Sequence, residues 1–348
     1  MMDFNHNQNI EATITANNLL AEGFNDSQVV YHDAEIPLRT VNKQYLGLAG
    51  IMSASVGYPL EPNHYVSLTL LGGESSGQIQ KPQMIDFEVS EYLLDKMIQR
   101  QNQLSLNQGD FIWLWVSVDA AHQIEDWRLF KSSLSQPVIM SLYQSSQHFE
   151  SLLNLLNLIE SFKVKAVKDF AMSLLYNQQL MKKWLSLPAS KHHHHSFPGG
   201  LMVHSIEVAQ LVQQHLQFIE SEVSAPEREI TILAALLHDI GKTQTLDQNH
   251  HTQLGRLVDH EQLTLLVLAE PLSQLSKTWP KGSHTLQYLL GWKSSDGFCK
   301  FIGGEMIKNA DQISTKLSLR RMAFADKPDY YQFSKVSTPG KEWYLNRL

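Results

Sequence analysis

The sequence is poor in cysteine and in charge, and it has no long apolar run. Each shortage excludes something. Cys299 is the single cysteine among 348 residues. An intrachain disulfide framework and a cysteine-rich zinc site are therefore ruled out, and a reducing, cytoplasmic setting is expected. No stretch approaches the ~20 uninterrupted apolar residues of a membrane-spanning helix. The polar start, MMDFNHNQNIEATITANN, lacks the basic-then-apolar order of a signal peptide. Charged residues make up only 18% of the chain and the net charge is −7. No global positive field exists, so a nucleic-acid partner would need local patches. The last 41 residues, from Lys308, carry eight Lys/Arg against four Asp/Glu, with Lys316, Arg320, Arg321 and Lys327 among them. Taken alone, that bias is the mark of a solvated surface.

The 43% apolar content suffices for a packed core, and the length suggests two domains. Residues 1–40 are polar and weakly patterned, an N-terminal extension. The texture then changes. Segments 45–58, 64–72, 84–90, 110–120 and 126–132 are rich in β-branched and aromatic residues and are separated by Gly, Pro and Asn. They are expected to be strands. One helical run, 90–100, interrupts them after the third. The order β-β-β-α-β-β is that of an oligonucleotide-binding (OB) barrel, a closed five-stranded sheet. From about residue 140 strands give way to helical spacing over 151–162, 165–187, 203–223 and 224–242, then roughly 257–270, 284–292 and 300–320. Ser224 and Glu227 form a capping box with Pro226 in the first turn, and Gly241 stands where a left-handed helix-ending residue belongs. The expectation is an α+β multidomain chain. An OB-like β-barrel at 41–140 is followed by an all-α domain at 141–330 and a tail at 331–348.

The chemistry gathers in the helical part. His238 and Asp239 follow the apolar run ITILAALL at the end of a helix. A carboxylate buried there costs several kcal/mol, on the order of 3–5, unless it is paired or bound to a cation. The dipeptide alone fits a capped Asp beside a core histidine. His204 begins the preceding long helix, and Asp311 lies in NADQIS on a late one. Three helices could then converge two imidazoles and two carboxylates on one divalent ion. Such a donor set suits Mn²⁺, Fe²⁺, Ni²⁺, Zn²⁺ or Mg²⁺ rather than Ca²⁺. Lys242 follows directly and could neutralise a phosphate, or simply end its helix favourably.

The order H…HD…D, present as His204, His238-Asp239 and Asp311, resembles the HD superfamily of metal-dependent phosphohydrolases. The stretch LPASKHHHHSFPGGLMVHSIEVA (187–209) is similar to the segment before the first ligand in YhaM-type 3′→5′ exonucleases, which join an OB and an HD domain. It is similar also to the HD-type relaxase domain of conjugative elements, and NADQIS is closest in texture to that second family. The resemblance covers about 165–325. It implies a phosphate-binding or metal-supporting role for His194 and His195, with His192 and His193 extra, and a place for His260 in an extended metal site. Where YhaM-type enzymes have a later His pair, this chain has Trp292 and Lys293. That departure tells against a second metal.

The function expected from all this is a metal-dependent phosphodiesterase acting on single-stranded RNA or DNA as a 3′→5′ exonuclease. Asp239 and Lys242 would serve catalysis. Phe111, Trp113, Trp115, Arg320 and Arg321 would contact nucleic acid, with the aromatics stacking on bases. Alternating Trp and Phe in a small barrel are, however, more often core. The alternatives are a relaxase-like protein of a mobile element and a non-catalytic nucleic-acid-binding module. No membrane partner is expected, and a homo-oligomer remains open.

Overall fold

The computed structural model describes residues 43–49, 64–70, 74–75, 78–79, 83–104, 106, 111–121, 123–248, 250–293, 295, 297–338 and 341–348. The expected N-terminal extension 1–40 and most of the first expected strand lie outside them.

Strands β1 (Lys43–Ala49), β2 (His64–Leu70), β5 (Gln83–Val89), β6 (Phe111–Val118) and β7 (Ile124–Ser132) form one antiparallel sheet in the order β5-β2-β1-β6-β7. A two-residue hairpin, β3 (Glu74–Ser75) and β4 (Gln78–Ile79), stands between β2 and β5. Helix α1 (Glu91–Gln103) follows β5, capped by Ser90 Oγ accepting from Leu93 N at 3.2 Å. The order of elements is the expected one, but the sheet is open. Among the described residues β5 and β7 remain its two edges, and no closed barrel forms.

The central strand β6 explains what the sheet does. Successive strand residues point to opposite faces. Leu114, Val116 and Val118 pack with Leu94 and Met97 of α1, together with Val66 and Phe87. Trp113 and Trp115 point the other way, into a core shared with the helices that follow. Trp115 stacks on Phe149, ring centroids 4.7 Å apart at 14°. The sheet is thus a layer covered on both faces.

Helices α2 (Gln136–Ser145), α3 (Phe149–Ser161), α4 (Lys165–Leu175) and α5 (Gln178–Ser186) come next. The expected single helix 165–187 is two, because Asn177 Oδ1 accepts from Leu180 N at 3.1 Å and starts a new helix. Helices α6 (Gly200–Phe218), α7 (Ala225–Leu237), α8 (Lys242–Thr245), α9 (His260–Val267), α10 (Ala269–Thr278), α11 (Pro280–Gly291) and α12 (Ile302–Phe324) complete the bundle. Ser224 Oγ accepts from Glu227 N at 3.4 Å at the start of α7. From Ile230 to Leu237 every residue of α7 is buried, enclosed by α4, α6, α11 and α12. A helix apolar on all sides has this fate in a soluble core.

Strands do not end at residue 140. Strands β8 (Phe333–Thr338) and β9 (Lys341–Asn346) make an antiparallel hairpin where a plain tail was expected. Its inner face, Val336 with Trp343 and Leu345, packs on Leu319, Ala323 and Phe324 of α12. Among the described residues no helix is long and apolar enough to cross a membrane.

Candidate metal centre

Three elements carry the four residues of the H…HD…D pattern to one point. His204 lies on the second turn of α6, His238 and Asp239 directly follow α7, and Asp311 lies on α12. His204 Nε2 is 3.1 Å from Asp311 Oδ1 and 3.5 Å from Asp239 Oδ2. His238 Nε2 is also 3.5 Å from Asp239 Oδ2. His194 joins them. His194, His204 and Asp239 offer ligand atoms within 4.8 Å of one another, as do His204, His238 and Asp311. The Nε2 atoms of His194, His204 and His238 are buried without a hydrogen bond of proper geometry. Three buried imidazole nitrogens lacking partners and converging with two carboxylates suit a divalent cation of the first transition row. The residues present fit such an ion.

The far sides of two rings are held. His238 Nδ1 lies 2.8 Å from the carbonyl oxygen of Ala235, which takes its proton and leaves Nε2 facing inward. His204 Nδ1 lies 3.0 Å from Ser314 Oγ. Around Asp239 the positive partners are close. Lys242 Nζ donates to Oδ2 at 2.6 Å and His260 Nε2 stands 3.0 Å from Oδ1. Burial alone would raise the Asp239 carboxyl, but Lys242, His238 and His260 outweigh it and hold it well below the usual carboxylate range. Burial likewise opposes ionisation of Asp311, and contact with His204 and the nearby His238 overcome it. Burial, with Lys242 and His204 nearby, pushes His194 down to about 3, so its ring is neutral near pH 7. Burial also lowers His204. Asp239 and His204 are enclosed, whereas the Asp311 side chain is 41% exposed. His260 and His238 are also partly exposed, so the cluster meets solvent beside Asp311.

Two glycines permit this crowding. A Cβ on Gly200 would fall 2.1 Å from the carbonyl oxygen of His195, so only glycine lets the histidine run cross the start of α6. Gly241 was expected in the left-handed region; its φ is −60° and ψ −22°, ordinary right-handed backbone. It is needed for proximity instead. A Cβ there would lie 2.0 Å from the carbonyl oxygen of His260. Gly241 N donates to Thr264 Oγ1 at 3.1 Å, which pins α9 and His260 over Asp239.

His195 is buried too, in the left-handed region at φ 45°, but its Nε2 meets Glu207 Oε2 at 3.1 Å rather than the ligand cluster. Lys293, which stands where YhaM-type enzymes have a histidine pair, lies 3.7 Å from Glu261 Oε1. Of the residues expected to bind nucleic acid, Trp113 and Trp115 are buried between sheet and helices and present no ring face to a base. Period-2 alternation sends them to the covered face. Phe111 at the strand start is exposed, as are Arg320 and Arg321, though Arg321 Nη1 donates to Glu207 Oε1 at 2.6 Å. The exposed aromatics are elsewhere. Phe333 and Tyr344, each 61% exposed, share the outer face of the C-terminal hairpin, and Tyr330 and Tyr331 precede it. Glu207 and Ser314 were not foreseen. Each stands three residues beyond a ligand on its own helix, the only hint the sequence contains.

Comparison with known families fits this geometry. Residues 201–281 match the HD domain. The matched span of the HD domain contains His204, His238, Asp239, Lys242 and His260, while Asp311 and the histidine run lie outside it. No curated protein and no solved structure matches the chain. The HD domain and the His/Asp cluster together support a phosphohydrolase dependent on a divalent metal.

Proposed function

We propose that this chain hydrolyses phosphodiester bonds of single-stranded nucleic acid, as a 3′→5′ exonuclease. The observation that carries the hydrolytic part is the convergence of three buried imidazole nitrogens and two carboxylates on one point, in and beside the span that matches the HD domain. His204, His238, Asp239 and Asp311 would hold the ion. When bound, a divalent ion lowers the pKa of a water and neutralises charge on a phosphoryl group. Lys242, tied to Asp239, adds a fixed positive charge beside the phosphate position. His194, neutral and with a free Nε2, can hydrogen-bond a phosphate oxygen or serve as a further ligand. Asp311 and His260 line the open side, where the scissile group would enter.

The substrate class rests on the similarity of residues 187–209 to nucleic-acid-processing HD proteins and on the C-terminal hairpin. That hairpin sets exposed Phe333 and Tyr344 beside Lys335, whose ammonium lies 3.1 Å from Glu342, and Lys327 stands 5.8 Å from the Tyr331 ring. Aromatic faces interleaved with cations favour single strands. The hairpin is anchored on α12 from Leu319, eight residues past Asp311, about 12 Å at the helical rise. A strand lying on it would lead toward the metal centre.

The test is degradation of 3′- and 5′-labelled single-stranded RNA and DNA with Mn²⁺, beside a His238→Ala/Asp239→Ala variant. Stepwise loss from the 3′ end, absent in the variant, is the expected result. A single internal nick would favour the relaxase-like alternative. Binding without cleavage would leave a nucleic-acid-binding module, and turnover of mononucleotides alone would sink the substrate class.

A further inference from the structure

The two ligand imidazoles differ in how their outer nitrogens are held, and the difference points to a residue pair with a defined task. His238 is fixed by a carbonyl of its own helix. His204 is fixed by a chain of side chains that joins α6 to α12. Its Nδ1 lies 3.0 Å from Ser314 Oγ, and Ser314 Oγ lies 2.7 Å from Glu207 Oε2. Glu207 also accepts from Arg321 at 2.6 Å and stands 3.1 Å from His195 Nε2.

The protons in this chain can be counted. A carboxylate that accepts from an arginine has no proton to give, so Glu207 is an acceptor toward Ser314 as well. The hydroxyl of Ser314 has one proton, and it goes to Glu207. Its lone pairs are what remain for His204. Two lone pairs do not bond, so His204 must carry a proton on Nδ1. Its Nε2 is thereby the nitrogen turned to Asp311, Asp239 and the ion. We infer that Glu207 and Ser314 are positioning residues of the metal centre: they fix the tautomer and ring plane of His204 so that Nε2 is its ligand atom.

The relay also explains why Glu207 is gripped from several sides. Arg321 and His195 hold its carboxylate so that one oxygen keeps facing Ser314. Ser314 itself is fully buried, where no water can stand in for the lost hydroxyl. The inference rests on His204 being a ligand, not on what the substrate is. An ion held by His204 through Nε2 needs Nδ1 protonated, and the Ser314 oxygen lies 3.0 Å from it to accept that proton.

The test uses the full chain, Mn²⁺ alone and no substrate. Calorimetric titration would compare the unmodified chain with Ser314→Ala and Glu207→Gln. Ser314→Ala removes only the hydroxyl oxygen and is small enough to leave the helix in place. Loss of an outer partner of a ligand histidine weakens metal binding by about 10–100-fold. That loss is expected for Ser314→Ala, with a smaller one for Glu207→Gln, whose amide oxygen can still accept from Ser314. The metal-free melting temperature of Ser314→Ala should stay close to the unmodified value. Imidazole ¹⁵N spectra should report His204 with its proton on Nδ1, and lose that signature in Ser314→Ala. Unchanged Mn²⁺ affinity in Ser314→Ala would overturn the proposal, as would a fall in melting temperature with affinity intact. An unmodified chain that binds no Mn²⁺ would overturn the relay and the metal centre together.

Discussion

Buried ring nitrogens without hydrogen bonds occur both in the N-terminal sheet and among the helices, and in these two places they mean different things. In the N-terminal sheet, the Nε1 of Trp113 is buried and unpartnered between β6 and the helices. It packs in the apolar core beside its cross-strand partners Leu48 and Phe130 and belongs to neither metal-ligand group. That is a modest cost of packing a large ring. In the helical part, the Nε2 atoms of His194, His204 and His238 are equally buried, but they face one another and two carboxylates. Several unpartnered atoms aimed at one point are a site. The lesson is that convergence, more than burial, separates a cost from a function.

Substitutions can break this contrast. The largest effect should come from Asp239→Ala, which removes the carboxylate shared by His204, His238, His260 and Lys242. Mn²⁺ affinity and hydrolysis should fall by more than the ~100-fold typical of an outer partner, read by titration and by cleavage of labelled strands. Trp113→Ala should do the opposite. It should destabilise the fold by about 3–5 kcal/mol in denaturant unfolding, with the Mn²⁺ affinity of the folded fraction unchanged. Gly241→Ala sharpens the comparison at the seam. Its Cβ would collide with the His260 carbonyl, so a loss of about 1–3 kcal/mol is expected together with weaker metal binding, because α9 and His260 must move. Phe333→Ala and Tyr344→Ala should weaken single-strand binding by about 1–3 kcal/mol per lost stack, measured by fluorescence anisotropy, with little change in melting temperature.

Much of the centre was legible because it rests on local rules. An ionisable pair ending an apolar helix, a histidine early in the previous helix and an aspartate on a later one can be read as ligands before any packing is known. The relay could not be read that way. Glu207 and Ser314 acquire meaning only when α6 and α12 lie side by side, 107 residues apart in sequence. The same limit acted on the sheet. Its strands and the helix after β5 follow from composition and alternation, but whether β5 meets β7 depends on curvature that no local pattern encodes, and it does not. Trp113 and Trp115 share that difficulty: alternation tells that they point one way, and only the helical layer decides that this way is inward. The C-terminal hairpin was missed because Pro, Gly and charges mask its short strands, whose inner face offers a small apolar set, Val336, Trp343 and Leu345.

The most direct test of the metal centre is Mn²⁺ stoichiometry by equilibrium dialysis. It would be made on a His192→Ala/His193→Ala background, so that the exposed end of the histidine run does not bind metal on its own account. Asp311 lies outside the span that matches the HD domain, so Asp311→Ala asks whether the centre is the one described. The account predicts about one tightly bound ion per chain, lost or greatly weakened in Asp311→Ala. Equal binding with and without the Asp311 carboxylate would contradict it.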